Sequence, residues 1–384
     1  MESTISGRNA GNKMRIGLLT SPTEPASIVP ISNLVETLKP LSESIVIITG
    51  NASYVFFKNS NDITCFDNSH PFMEKNLVRK ILFYLHAQFK DSYFLLKNRN
   101  TVEAWIFFIG GEREFLPILT AHLLKKPVLL YIPGSAIRDL KFSKDPLLKP
   151  TEILSAMVHH LADHIILYSP NLISEWNLEP HRHKIIIANR HFLDFNLFTV
   201  TLPFTDRPHL IGYIGRLSGE KGVRNFALSL PSILGNHENL RILIAGNGQL
   251  KEVIEIELKK EGLTDKVDLP DWISHDDLPG YLNRLRLLVL PSYTEGLPNI
   301  MLEAMACGTP VLATPVGAIP DIIQDGKTGF IMENNSPECI AENVERALSS
   351  PHLEKIANNG RLFVEENFTL EKTVNKWKEI LDLL

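Results

Sequence analysis

MRIGLLTSPTEPASIVPISNLVETLKPLSESIVIITG, residues 14–50, decides the fold. It opens with a short apolar run after Lys13 and passes through a proline-bearing loop, SPTEPASIVP. It then enters ISNLVETLKPL, where apolar residues recur at helical spacing, and closes on a second apolar run, SIVIITG. Both strand-like runs are continuously apolar rather than alternating, as in strands covered on both faces. Strand, loop, helix, strand in that order is the unit of a parallel sheet packed under helices.

Working outward, the unit repeats. Residues 105–109, 127–132, 164–169 and 184–188 are strand-like, and residues 115–124 and 153–162 are helical. Residues 77–96 form a long helix, and its Phe-rich stretch 83–94 suits a packed helix better than a ligand-stacking platform. Beyond Phe198 the pattern lapses: VTLPFTDRPH, residues 200–209, has no periodicity and suits a linker. A second α/β series follows. Its strands are expected at 210–214, 240–245, 267–269, 285–291 and 310–313. Its helices are expected at 222–230, 250–261, 300–307, 319–323 and 370–384. The chain therefore divides into a Rossmann-like domain at 14–203, a second at 204–368, and a terminal helix at 369–384. The fold class is α/β, with two parallel-sheet domains facing a central cleft. Ligands of such sheets bind in loops at the carboxyl ends of the strands.

Composition excludes several classes. With 384 residues, 44% hydrophobic and 22% charged, the chain can bury a large core, so disorder and a disulfide scaffold are poor fits. Lys and Arg total 39 against 44 acidic residues, a net charge of -5, and no global basic excess points to nucleic acid. Cys65, Cys307 and Cys339 are widely spaced, which suits a reducing compartment and not a metal cluster. No run approaches twenty uninterrupted apolar residues. Residues 1–13 are polar and lack a signal core, and are expected to be a short disordered lead-in. The expected location is cytoplasmic, with a peripheral contact at the inner face of a membrane still allowed.

Four segments could carry chemistry. GYIGRLSGEKG, residues 212–222, sets Arg216 and Lys221 about a glycine-bearing turn before a helix, a good anion site. The same spacing also fits a tight surface turn with solvated charges. It lacks the Gly-Lys-Ser/Thr ending of a P-loop. In YTEGLPNIMLEAMACGTPVLAT, residues 293–314, Glu295 follows a strand end and Glu303 lies on the next helix, which Asn299 begins. Residues 296–299, with Gly296 and Leu297, could turn backbone N–H groups to a ligand. Carboxylates there could accept hydrogen bonds from sugar or ribose hydroxyls, while Glu303 fits a solvated helix position equally well. Cys307 suits packing better than nucleophilic chemistry. The third segment is the GNG turn at Gly246, and the fourth is VGAIPDIIQDGKTGFI, residues 316–331, read alone as loop. The histidines are scattered, without a zinc or serine-hydrolase motif.

In their collective order, these segments resemble the group-1 retaining glycosyltransferases (glycosyltransferase family 4) of the GT-B fold. The likeness runs from Leu210 to about Ile331, through GRLSGEKG, AGNG, EGLPNIMLEAMACGTPV and DGKTGF. It implies a retaining hexosyltransferase-type enzyme that moves a sugar from a nucleotide-diphosphate sugar to a hydroxyl acceptor. By resemblance, Glu295 lies by the donor sugar and Glu303 takes the ribose hydroxyls. Arg216 and Lys221 hold the diphosphate, and Gly215 permits its close approach. Residues 271–273, with Trp272, grip the base through backbone groups. The terminal helix crosses back to the N-terminal domain. No cofactor is implied beyond the co-substrate, and no metal.

The N-terminal half departs from the family pattern. No glycine stands between Gly17 and Gly50, where a glycine-rich loop is usual. Pro133, Gly134 and Ser135 follow a strand after which a histidine is common. The acceptor is therefore left open among a glycan, a lipid-linked sugar and a small metabolite, and the donor base among uracil, guanine and adenine. The alternative is a catalytically weak or inactive nucleotide-sugar-binding subunit of a glycosylation complex. An epimerase or phosphorylase on the same architecture fits the paired glutamates less well. A homo-oligomer is compatible with the sequence, and polysaccharide biosynthesis is the expected setting.

Overall fold

A computed structural model describes residues 13–70 and 77–384. The polar lead-in expected at residues 1–13 lies almost wholly outside them. The chain divides into two compact units: residues 1–191 with Leu370–Leu384, and residues Phe192–Thr369.

The first unit contains β1 (Met14–Leu19), β2 (Ser42–Thr49), β3 (Ile63–Asp67), β4 (Ala104–Phe107), β5 (Val128–Tyr131), β6 (His164–Leu167) and β7 (Ile185–Ile187). They form one sheet in the order β3-β2-β1-β4-β5-β6-β7, every pair parallel. The continuous apolar runs become its central strands, buried along β4 and β5. β3 is an edge strand that the sequence reading missed: ITCFD is only partly buried and carries no continuous apolar run. In the centre, Gly17 of β1 pairs with Trp105 of β4. A Cβ added to Gly17 would lie 2.3 Å from the Trp105 ring, so the indole fills the space a side chain would need. The terminal helix Leu370–Leu381 belongs to this unit. Its buried Trp377 donates from Nε1 to the Asn189 carbonyl at 2.9 Å and meets the Tyr131 ring edge-on at 5.4 Å. Ser135, on the loop after β5, caps the helix Ala136–Ser143 by accepting from the Arg138 N–H.

The long helix forms at Leu77–Lys97, but much of its apolar and aromatic face is unpacked: Leu82, Leu85, Phe89, Tyr93 and Leu96 are all exposed.

The second unit holds β8 (Leu210–Ile214), β9 (Arg241–Ala245), β10 (Val267–Asp268), β11 (Leu287–Leu290), β12 (Val311–Ala313) and β13 (Phe330–Ile331), in the parallel order β10-β9-β8-β11-β12-β13. The helices Pro337–Leu348 and Leu353–Asn367 were not read from the sequence. The first nonetheless has a clear start signal, with the Ser336 hydroxyl accepting from the Cys339 N–H and Pro337 at the first helical position.

The chain leaves the first unit at His191, well before the expected break at 203. Residues 199–209 are not a free linker, because hydrogen bonds with residues distant in the chain hold them. Asn283 accepts from the N–H of Thr201 at 2.8 Å and donates to the Thr199 carbonyl at 2.9 Å. The buried Arg207 guanidinium donates to the carbonyls of Leu285 and Cys307 and to the Thr309 hydroxyl. Cys307 ends the helix Asn299–Ala306, where a cation also offsets the helix dipole.

Replacing Gly17 with Ala is expected to cost about 1–3 kcal/mol by overpacking against Trp105. Urea unfolding followed by tryptophan fluorescence measures it, and an unchanged midpoint would contradict this packing.

Candidate donor-binding site

The candidate site residues gather on loops that leave the carboxyl ends of β8, β9, β10 and β11. β8 runs into Gly215 and Arg216. The Gly215 N–H donates to Ala245 at the end of β9, and the Leu217 N–H to the Asn247 carbonyl. Gly246 in turn donates to the Pro270 carbonyl at 3.3 Å, on the loop after β10. Tyr213, within β8, donates from its hydroxyl to the Arg216 carbonyl at 2.7 Å. Burial holds that phenol well above its ordinary pKa, so it stays a donor. The turn thus opens with a backbone fixed from below.

Lys221 is placed by the residue after it. Gly222 has φ 65° and begins the helix Val223–Asn236. A Cβ there would stand 1.9 Å from the Pro291 carbonyl oxygen, so backbone meets backbone at this point. That approach brings Lys221 to the loop after β11, where its Nζ lies 2.8 Å from Glu295 Oε1. The same oxygen accepts from the Ser292 hydroxyl at 2.8 Å. The Tyr293 N–H donates to the Glu220 carbonyl, closing the two loops together. On the far side, Gly317 has φ 62°, and a Cβ there would lie 2.3 Å from the Glu295 carbonyl oxygen. The Ala318 N–H donates to Gly296 at 2.8 Å. The fourth segment, read alone as loop, therefore braces the Glu295–Gly296 turn.

The two cations are not equivalent. The Lys221 side chain is 26% exposed and held, whereas that of Arg216 is 61% exposed, with Nη1 3.6 Å from Glu220 Oε1. Glu220 also accepts from Ser218 at 2.5 Å. A held ammonium beside a more exposed guanidinium suits an anion that is gripped at one end and enclosed at the other.

Leu297 is buried, and Asn299 starts the helix Asn299–Ala306 with no side chain capping its N-terminus. Glu303, on that helix, is buried at 6% exposure, against the reading of a solvated helix position. Its Oε1 lies 3.5 Å from His275 Nε2. The Glu303 carboxylate raises the His275 pKa, while partial burial opposes it. His275 carried no sequence signal, being a lone histidine in a loop. Ser292, three residues before Glu295, was missed for the same reason. Trp272 is 68% exposed on the loop after β10, beside an Asp271–Lys251 ion pair. Cys307 is fully buried, and burial pushes its thiol up to about 12, in keeping with packing. Among the described residues, no three His, Cys, Asp or Glu side chains group as a metal site.

Comparison with known proteins bears on the same region. Residues 198–363 match the family model described as glycosyl transferases group 1. Over 40% of its length the chain is 32% identical to 40% of the alpha-D-kanosaminyltransferase of Streptomyces kanamyceticus. Over 44% it is 31% identical to 44% of the capsular polysaccharide biosynthesis glycosyltransferase CapM of Staphylococcus aureus. The chain spans about half the length of the curated relatives it matches, or less. In structure, 97% of the chain superposes on all of Anabaena HepE in complex with UDP-glucose, with a TM-score of 0.73 at 15% identity. Through residues 198–363 the chain is related to the glycosyl transferases group 1 family, and it has the GT-B fold.

Proposed function

We propose that the second unit binds a nucleotide-diphosphate sugar and that the chain transfers its hexosyl group, with retention, to a hydroxyl acceptor. The observation that carries this reading is the Lys221–Glu295 contact, made across two loops at the carboxyl edge of the sheet. A held ammonium there can neutralise the charge that builds on a departing diphosphate. Arg216 closes over the same group. Glu295 accepts from the sugar hydroxyls, and Glu303 from the ribose hydroxyls. Gly215 and Gly246 let the backbone approach the phosphates, while Gly296, Leu297 and Asn299 present N–H groups at a helix start. The loop bearing Trp272 meets the base.

In the transfer, the bond from the anomeric carbon to the diphosphate oxygen breaks, and its electron pair leaves with the diphosphate. The acceptor oxygen bonds to the same face of that carbon, and its proton passes to the departing phosphate. The acceptor is a glycan, a lipid-linked sugar or a small metabolite. The family match and the sugar-transferring relatives support this reading. Uridine donors are the first to test, because HepE is described with UDP-glucose.

The wild type is expected to bind at least one nucleotide sugar and to hydrolyse or transfer it. Lys221→Ala is expected to lower turnover by about 100-fold or more. Glu303→Ala should instead weaken binding about tenfold, or about 1.4 kcal/mol. Calorimetry and product release separate these effects, and variants that bind and turn over like wild type would sink the assignment. Binding without turnover on any acceptor would favour a binding subunit instead.

A second expectation concerns pH. Glu303 keeps the proton on His275 to a higher pH than the ordinary value of about 6.5. Because the folded pKa is raised, the pair's stabilisation is full below the unfolded imidazole's pKa and lost as pH rises through the folded one. NMR titration of His275 should show a raised midpoint that falls in Glu303→Gln. Equal midpoints in the two proteins would refute the coupling.

A further inference from the structure

The helix Leu77–Lys97 has its polarity reversed relative to a core helix. Its buried side holds Gln88, Asp91 and Ser92, with Leu95 the one fully buried apolar side chain among the described residues of the helix. Gln88 donates to Glu114 at 2.7 Å and accepts from the Leu116 N–H at 3.0 Å, and Asn68 donates to Asp91 at 3.3 Å. Outward it presents Leu82, Leu85, Phe89, Tyr93 and Leu96, each between 42% and 65% exposed. These recur at intervals of three and four and make one stripe. Water is a poor neighbour for five large apolar side chains in a row.

The charges on this helix are ordered too. Four of the five basic residues, Arg79, His86, Lys90 and Lys97, recur at intervals of seven and four, a single row along one edge of the stripe, and Lys80 falls outside that spacing. The helix's one acidic residue is Asp91, on the buried side. Burial, reinforced by the Glu114 charge, pushes that carboxyl up to about 8, so near neutrality it is largely uncharged. In a chain of net charge -5, this helix is thus locally cationic.

The geometry points to this helix as a docking surface for a bilayer carrying anionic phospholipid, with the stripe at acyl-chain level and the basic row among headgroups. No described helix is long and apolar enough to cross a membrane, so this one would lie in the interface. Charge decides against a second copy of the chain. Pairing the stripe with itself would bring two basic rows to one interface, with no acid of the helix to offset them. Docking needs nothing from the donor loops, which lie on the other unit.

Flotation of the full chain with vesicles tests this. The wild type should float with equal parts phosphatidylglycerol and phosphatidylcholine, and about tenfold less with phosphatidylcholine alone. Raising salt should release it. The double variants L85S/F89S and K90E/K97E should each lose about tenfold of the anionic binding while keeping the wild-type circular dichroism and nucleotide affinity. Absence of flotation, equal flotation on both vesicles, or variants that float like wild type would overturn the proposal. So would a concentration-dependent dimer that L85S/F89S dissolves in the absence of lipid binding.

Discussion

The strand-end loops of the second unit depend on backbone meeting backbone where no Cβ can stand. At Gly222 the chain touches the Pro291 carbonyl, and at Gly317 it touches that of Glu295. These two approaches set the loop after β11 between the loops after β8 and β12. Only in that arrangement does the ammonium of Lys221 reach the carboxylate of Glu295, which is 74 residues away in the chain. The electrostatics of the site therefore rest on sterics. The charged pair is available because two positions carry no side chain at all.

Much of the fold was legible because a parallel sheet under helices forces its strands to be apolar on both faces. β1, β2, β4, β5 and β6 announce themselves in this way. β3 does not, because ITCFD is a half-exposed edge. The segment at 199–209 looked like a linker because prolines and missing periodicity are local signals. What fixes it is remote: Asn283 satisfies its backbone, and its own Arg207 binds it to the helix end at Cys307. No spacing rule reveals a partner some eighty residues distant.

The site was legible in its residue types but less so in its pairings. The cations and Glu295 stand on strand-end loops, and Glu303 on the helix that follows, as their sequence context implied. That Lys221 is held against Glu295 while Arg216 is largely exposed could not be read, since both flank the same turn. Nor could Glu303 be placed. Its burial and its contact with His275 come from loop packing around the helix Asn299–Ala306. The helix Leu77–Lys97 misled for the opposite reason. Its aromatics suggested a packed face, but the buried side of that helix is mostly polar, with Gln88, Asp91 and Ser92 beside Leu95.

The first unit is discontinuous along the chain, and this has a consequence for synthesis. Trp377 closes against Tyr131 and the Asn189 carbonyl, so the hydrophobic contacts of the first unit are complete only once Leu381 has been made. The second unit is contained within Phe192–Thr369 and has all its strands earlier. Domains usually mature from the amino terminus as the ribosome proceeds. Here the order of completion is inverted. The nascent first unit must wait with its Trp377 socket open while the second unit finishes, a window in which a chaperone or an early stop would matter most.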